Sequence, residues 1–285
     1  MNAASGRPVQ LPTLALYAMS VAATRKWCKE GDEPGQARAG TPVPPPPAIV
    51  EPRARIARAI KIWNISEEVM ANPAEVVSAA QFGDIEKLRG LLQGNPSLAS
   101  ARDASGVSAL MHAYYCRQQG AADLLLRTNA SLDIFEATAA GKADKVSAIL
   151  ETDPDAVKSC SADGFTALHF AAFFNRPEIA RDLIRHGADV AAVARNSIKV
   201  MPLHSAAAAH SGEIVRLLLE NGAPPNVPQE GGWVPLHEAA RIGDTEMVKV
   251  LLQNGADPQL RSNDGKSAAE LARTNGHEEV VTLLA

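Results

Sequence analysis

The sequence predicts an all-α solenoid built from about seven helix–turn–helix repeats. One tetrapeptide is written three times, and its leucine falls at Leu168, Leu203 and Leu236, so the copies lie 35 and 33 residues apart. Each copy closes on a glycine turn, of which Asn254-Gly255-Ala256-Asp257 is one example. A constant period of this length is typical of chains that stack small units side by side to bury a shared core.

The tetrapeptide marks the start of the first helix of each repeat. It reads Thr166-Ala167-Leu168-His169 in one copy, and proline replaces the alanine in the two later copies. Threonine can cap a helix N-terminus, and proline is tolerated at the first helical position because its missing amide is not needed there. An apolar run such as Leu217-Leu218-Leu219 follows at helical spacing and predicts a second helix. Glycine suits the end of that helix because it adopts a left-handed backbone without a steric clash.

Weaker copies extend the register in both directions. They are keyed on Val76, Leu110, Ile134 and Ala269, and the successive spacings of the seven repeats are 34, 24, 34, 35, 33 and 33 residues. The step of 24 residues predicts that the hairpin between repeats two and three is missing. Repeats one and three lack the tetrapeptide, so their first helices are expected to be tilted or shortened. Residues 194–200 lack an Asp-x-x-Gly turn, which predicts an irregular hairpin in repeat five.

These residues resemble the ankyrin repeat, which has a period of 33 residues, a Thr-Pro-Leu-His helix start and a Gly-Ala-Asp turn. The resemblance covers about residues 71–285; it is specific in the last four repeats and degenerate in the first three. It implies paired helices with short hairpin fingers, and a function in binding a protein partner. The stretch 233–237 is similar to stand-alone bacterial ankyrin proteins, which implies a cytoplasmic location.

The resemblance also implies which residues line a concave groove. In the family these are the residue before the helix-capping threonine and the two residues that precede the turn at the end of the first helix. Aromatic residues and arginine are frequent anchors of protein interfaces. For Phe170 and Tyr114 we expect packing between helices instead. The expected partner-binding residues are Tyr115, Phe165, Phe173, Phe174, Val200, Trp233, Arg241 and Ile242.

The N-terminal quarter differs from the repeats in composition. Pro44–Pro47 and the surrounding Gly, Glu and Arg favour an extended chain, so residues 1–52 are predicted to be a flexible leader with a proline-rich linker. In residues 53–70, Ile56, Ile60 and Trp63 recur at helical spacing, which predicts an amphipathic helix that caps the first repeat.

A secretory signal is an alternative interpretation of the leader. Residues 11–23 are apolar and end in small side chains, as the hydrophobic region of a signal peptide does. The single arginine before this stretch and the basic residues directly after it favour a leader that is not cleaved. Both interpretations remain open from the sequence.

Composition and charge argue against several functional classes. No apolar run reaches the roughly eighteen residues that span a bilayer. The net charge of −4, from 28 basic and 32 acidic residues, argues against nucleic-acid binding, which usually needs a basic surplus on one face. The three cysteines, Cys28, Cys116 and Cys160, have no disulfide or zinc spacing and fit a reducing compartment. We expect a monomer that uses no cofactor or metal and binds neither nucleic acid nor membrane.

Histidine is the residue type that deserves testing as a catalyst or metal ligand, and the candidates are His112, His169, His204 and His237. His169, His204 and His237 recur at the repeat spacing, so they lie about one helix-packing distance apart, roughly 8–10 Å, which is too far to share a zinc ion. Their predicted role is to bond the backbone that shapes each finger. Phosphate-binding glycine loops and serine-nucleophile motifs are missing from the sequence. The function predicted is therefore non-catalytic protein binding. The alternatives are an inhibitor or immunity-type protein that occludes a partner enzyme, and an enzyme that uses a groove histidine.

Overall fold

The computed structural model describes residues 72–128 and 131–285, and this part of the chain is all-α. It holds fourteen α-helices, two short 3-10 helices and two isolated β-bridges, but no strand. None of the described helices is long and apolar enough to cross a membrane. The leader predicted for residues 1–52 and the capping helix predicted for residues 53–70 lie outside the described residues.

The helices follow one another in pairs, and each pair is one repeat. Below, the finger of a repeat is the segment that leads into its first helix. The two 3-10 helices, Pro96–Ser100 and Pro154–Lys158, follow the second helices of repeats one and three. The pairs are α1 Pro73–Phe82 and α2 Ile85–Gly94; α3 Ala109–Tyr115 and α4 Gln119–Thr128; α5 Ile134–Ala139 and α6 Ala143–Thr152; α7 Ala167–Phe173 and α8 Pro177–Arg185; α9 Pro202–Ala208 and α10 Gly212–Glu220; α11 Pro235–Ile242 and α12 Thr245–Gln253; α13 Ala268–Thr274 and α14 Glu278–Leu283.

The described residues divide into two compact units. The N-terminal unit holds residues 72–103 and 108–128, and α1 packs on α3 within it. The C-terminal unit holds residues 104–107 and 131–285, in which each first helix packs on the next one along the chain. A single cluster of buried side chains runs through this second unit from Ile134 to Leu284.

The two helices of a repeat contribute different side chains to the core of the C-terminal unit. The tetrapeptide leucines are buried, and so are the alanine pairs that follow them, such as Ala206 and Ala207. Small side chains let neighbouring first helices approach closely, while the second helices supply bulk from Leu183, Leu218 and Leu251. Burying one such leucine contributes about 2 kcal/mol to stability.

The residue that ends each first helix has a left-handed backbone in all seven repeats. Four of these residues are glycines with φ between 71° and 78°, whereas three are not glycine. Arg117, Asn175 and His210 have φ of 55°, 51° and 55°, a conformation that costs an L-residue about 1 kcal/mol. The repeat therefore imposes the turn wherever the register places it, with or without glycine.

A side chain from the following repeat closes several of these helix ends. Arg176 donates from Nε and Nη2 to the carbonyl of Ala139, at 3.2 and 2.9 Å. Ser211 Oγ donates to the carbonyl of Ala172 at 3.1 Å. The last carbonyls of a helix have no partner within the helix, so these bonds both satisfy them and connect consecutive repeats.

The short step between repeats two and three is confirmed. Helix α4 ends at Thr128 and α5 begins at Ile134, whereas α8 ends at Arg185 and α9 begins only at Pro202. The expected shortening of the first helix is confirmed for repeat three, where α5 has six residues. It is wrong for repeat one, where α1 has ten residues because Asn72 caps the helix and Pro73 opens it without the tetrapeptide.

The finger of repeat five is irregular, as predicted. It is closed by a bond from the amide of Ala194 to the carbonyl of Val200 at 2.8 Å. Lys199 has a φ of 55° at the position before Val200, where the fingers of repeats four, six and seven have a glycine. The chain thus makes the same reversal here with a lysine.

Candidate partner-binding surface

Burial separates the eight residues predicted to bind a partner. Tyr115, Phe165 and Val200 are buried, and Phe165 is completely inaccessible to solvent. A side chain enclosed by its own protein cannot contact a partner, so the prediction is wrong for these three residues, which belong to the core. The five others are half-buried and remain candidates, namely Phe173, Phe174, Trp233, Arg241 and Ile242.

A chain of ring contacts leads from the core to the surface of repeat four. Phe170 is buried, as expected, and lies at its centre, with ring centroids 5.9 Å from Phe165 and 5.8 Å from Phe135. Phe174 stacks on Phe170 at 6.4 Å, and Phe173 meets the Phe174 ring edge-on at 5.1 Å. The half-buried rings of Phe173 and Phe174 are therefore held in place by other rings. Covering them with a partner would cost these two side chains little conformational entropy.

Equivalent positions of neighbouring repeats form a row at the ends of the first helices. Repeat four contributes Phe173 and Phe174, repeat five contributes Ala208 and Ala209, and repeat six contributes Arg241 and Ile242, and all six side chains are half-buried. Helices α7, α9 and α11 pack in that order, so the three pairs are neighbours. We call these six residues the first-helix row. Its middle pair is small and its two outer pairs are large.

An ion pair fixes one end of the row. Arg241 Nε donates to Glu238 Oε2 at 3.0 Å, and Arg241 Nη2 donates to Glu238 Oε1. The hydrogen bonds that Arg241 donates to Glu238, with the charge of that carboxylate, raise the pKa of Arg241 above its ordinary value. Trp233 lies in the finger of the same repeat, with its ring 5.8 Å from the His237 imidazole. Because the charge of Arg241 is already paired, its guanidinium offers a partner a rigid, flat surface instead of a free positive charge.

The repeat histidines have the structural role that their spacing predicted. The Nδ1 atoms of His169, His204 and His237 accept from the backbone amide three residues earlier, at 3.1 to 3.3 Å. On the other side of the ring, His237 Nε2 lies 3.2 Å from the carbonyl of Lys266 in the next finger. Burial lowers the pKa of His169 and of His204 to about 4. These imidazoles are buried and neutral at pH 7.

One histidine pair was missed by the sequence reasoning. His112 Nε2 lies 2.7 Å from Asp103 Oδ2, and both side chains are largely enclosed. Met111 occupies the tetrapeptide histidine position in this repeat, so His112 falls one residue out of register. It connects the finger of repeat two to α3 through a side chain instead of a carbonyl. No period in the sequence could have indicated this pair.

Residues 72–128 and 131–285 contain no candidate metal site. No group of three His, Cys, Asp or Glu side chains in these ranges is arranged to hold a metal ion. Cys160 is a free thiol.

Comparison with protein-family models identifies the repeat. Residues 134–229 and 203–285 match a model described as ankyrin repeats, in three copies, and together these matches span more than half of the chain. The chain belongs to the ankyrin repeat family. Ankyrin repeats are generally protein–protein interaction modules and are typically not catalytic. The half-buried aromatic residues of this ankyrin stack are therefore candidates for contact with another protein.

Proposed function

We propose that this ankyrin protein is a non-catalytic binding module that holds a partner protein in the groove over repeats four to six. The observations that carry the proposal are the first-helix row and the half-buried Trp233 in the finger of repeat six. Phe173, Phe174, Ile242 and Trp233 keep large apolar side chains partly accessible on the first helices and finger of repeats four and six, in a chain with only 4% aromatic residues. Clustered apolar side chains that stay accessible are typical of interaction sites.

The distribution of aromatic residues within the repeats supports this surface over others. All described aromatic side chains lie in first helices or fingers, and the second helices of the described residues carry none. The exposed faces of the second helices instead hold ion pairs such as Arg181–Glu213, whose nitrogen and oxygen lie 3.1 Å apart. Such pairs are typical of a solvated surface. A partner therefore finds rigid anchors on the first helices and fingers.

The histidines support binding over catalysis. A general base must present an accessible nitrogen to its substrate, whereas His169 and His237 use both ring nitrogens on backbone groups. The free thiol of Cys160 is consistent with a cytoplasmic, reducing environment. Within this proposal the protein acts as a monomer, with its groove open to a different protein.

The test is capture of a partner from native cell extract with the full chain, followed by two matched variants. Ile242→Glu places a charge in the first-helix row, and Leu283→Glu places the same charge at an exposed apolar position of α14. We expect one stoichiometric partner whose affinity falls at least tenfold with Ile242→Glu and stays unchanged with Leu283→Glu. Equal affinity for both variants would contradict the proposal. Assaying the captured protein with and without the chain separates an adaptor from an inhibitor that occludes an enzyme.

A further inference from the structure

The backbone of the fingers is already engaged between neighbouring repeats. The amide of Arg195 donates to the carbonyl of Gly164 at 2.8 Å, and the amide of Glu230 donates to the carbonyl of Ile198 at 2.9 Å. Within repeat six, the amide of Gln229 donates to the carbonyl of Trp233 at 2.8 Å. An extended peptide binds a sheet edge through unpaired backbone groups. These fingers offer few such groups, so a partner must be recognised by its side chains.

The middle of the first-helix row carries only small side chains, and below we call this stretch of surface the step. Ala208 and Ala209 stand between the pair Phe173 and Phe174 and the pair that contains Ile242. Packed helices lie about 8–10 Å apart, so the step is about one repeat wide. Two turns of an α-helix advance about 11 Å, which is nearly the same length. A helix with apolar residues seven positions apart would therefore match the spacing of the repeats.

Among the fingers of repeats four to six, only that of repeat five has basic side chains, and its first helix carries the step. Arg195 and Lys199 are exposed, and residues 194–200 include no acidic side chain. Neither residue forms an ion pair with another described residue. The adjacent fingers instead carry the acidic Asp163 and Glu230. An acidic group on a partner is thus attracted at repeat five and repelled on either side, which fixes its register.

We propose that the partner presents an amphipathic helix with a bulky apolar side chain that fills the step over Ala208 and Ala209. An acidic residue within one turn of that side chain faces Arg195 and Lys199. This inference rests on the proposed function, because it uses the same surface. It adds the conformation of the bound segment, its anchor and the charge that sets its position.

The test uses the full chain and a displayed library of random sixteen-residue peptides as the probe. We expect the enriched peptides to carry apolar residues seven positions apart with an acidic residue nearby, and to become helical by circular dichroism when bound. Ala209→Phe fills the step, and the protein should tolerate it because Phe174 and Ile242 occupy the equivalent positions of the adjacent repeats. Lys199→Glu reverses the charge without touching the core. Each change should lower the affinity for the enriched peptides at least tenfold. Lys145→Glu on the exposed face of α6 should leave that affinity unchanged.

Three results would overturn the inference. They are the absence of any enriched peptide, enriched peptides that bind in an extended form, and affinities that Ala209→Phe leaves unchanged. If extended peptides still lose affinity with Ile242→Glu, the helix is excluded while the proposed binding surface stands. If no variant of the first-helix row changes the affinity for the captured partner, the proposed function fails as well. Thermal melting of each variant shows whether a loss of affinity reflects a loss of folded protein.

Discussion

His169 Nε2 lies 3.1 Å from the carbonyl oxygen of Val200, which belongs to the finger of the next repeat. The Nδ1 atom of the same ring lies 2.8 Å from Thr166 Oγ1, at the start of its own helix. One buried imidazole therefore connects a helix N-terminus to the following finger. Two repeats after His169, His237 makes the same connection to Lys266 in the following finger.

Because these connections depend on neutral rings, the stack should lose stability in acid. In the folded chain burial lowers the pKa of His169 and His204 to about 4, from an ordinary value of 6.5. The unfolded chain binds more protons between these values, so the free energy of unfolding decreases as the pH falls from about 6.5 to 4. Each pKa unit corresponds to about 1.4 kcal/mol, so each histidine accounts for a few kcal/mol.

Urea unfolding at several pH values between 7 and 4 checks this prediction. His169→Gln supplies the control, because glutamine can occupy the third helical position of a capping box as Glu136 and Glu270 do in other repeats. The variant should show a shallower decrease in stability with falling pH. Equal slopes for the two proteins would exclude His169 as a source of the acid sensitivity.

Lys199→Gly should stabilise the finger of repeat five. Lys199 has a φ of 55°, and the equivalent residues of the neighbouring fingers are Gly164 and Gly232. A left-handed L-residue costs about 1 kcal/mol, and the greater freedom of glycine in the unfolded chain offsets part of that cost. We expect a gain of about 0.5 kcal/mol by chemical denaturation. Lys199→Ala is the control, since alanine keeps the β-carbon; a gain of the same size with alanine would show that backbone strain is not the cause.

Deleting residues 1–50 should leave the thermal midpoint of the protein nearly unchanged. The basis is the proline-rich composition of this segment and the absence of any repeat register before Val76. Differential scanning calorimetry of the full and shortened chains makes the comparison. A midpoint lower by many degrees would show that the leader is part of the folded stack.

Hydrogen exchange should resolve the two compact units as separate opening events. The N-terminal unit has its own buried residues, including Val76 and Leu110, and the C-terminal unit has a core cluster that begins at Ile134. Structural units with separate cores often open with different free energies. Amides of repeats one and two should therefore exchange at a rate different from those of repeats three to seven. One common rate for the slowest amides of all seven repeats would exclude this behaviour.

The sequence was sufficient to predict repeat number, helix pairing and the role of the histidines, because each depends on a pattern that recurs. It was insufficient for features that depend on neighbours in space. The left-handed turn at Arg117 gave no signal because the residue is not glycine. Phe165 and Trp233 share a repeat position, yet Phe165 is buried against Phe170, while in repeat six that neighbour is Glu238, which pairs with Arg241.

Substitution of Trp233 should affect binding much more than stability. Its side chain is half-buried in the finger of repeat six, whereas Leu236, three residues later, is completely buried. Truncating a central interface anchor commonly costs about 2 kcal/mol of binding or more, roughly thirtyfold in affinity. Truncating a core leucine costs about 2–5 kcal/mol of stability. Trp233→Ala should therefore lower the affinity for the captured partner strongly and the melting temperature only a little. Leu236→Ala should lower the melting temperature much more. If Trp233→Ala destabilises the protein as severely as Leu236→Ala, Trp233 is a core residue and does not anchor a partner.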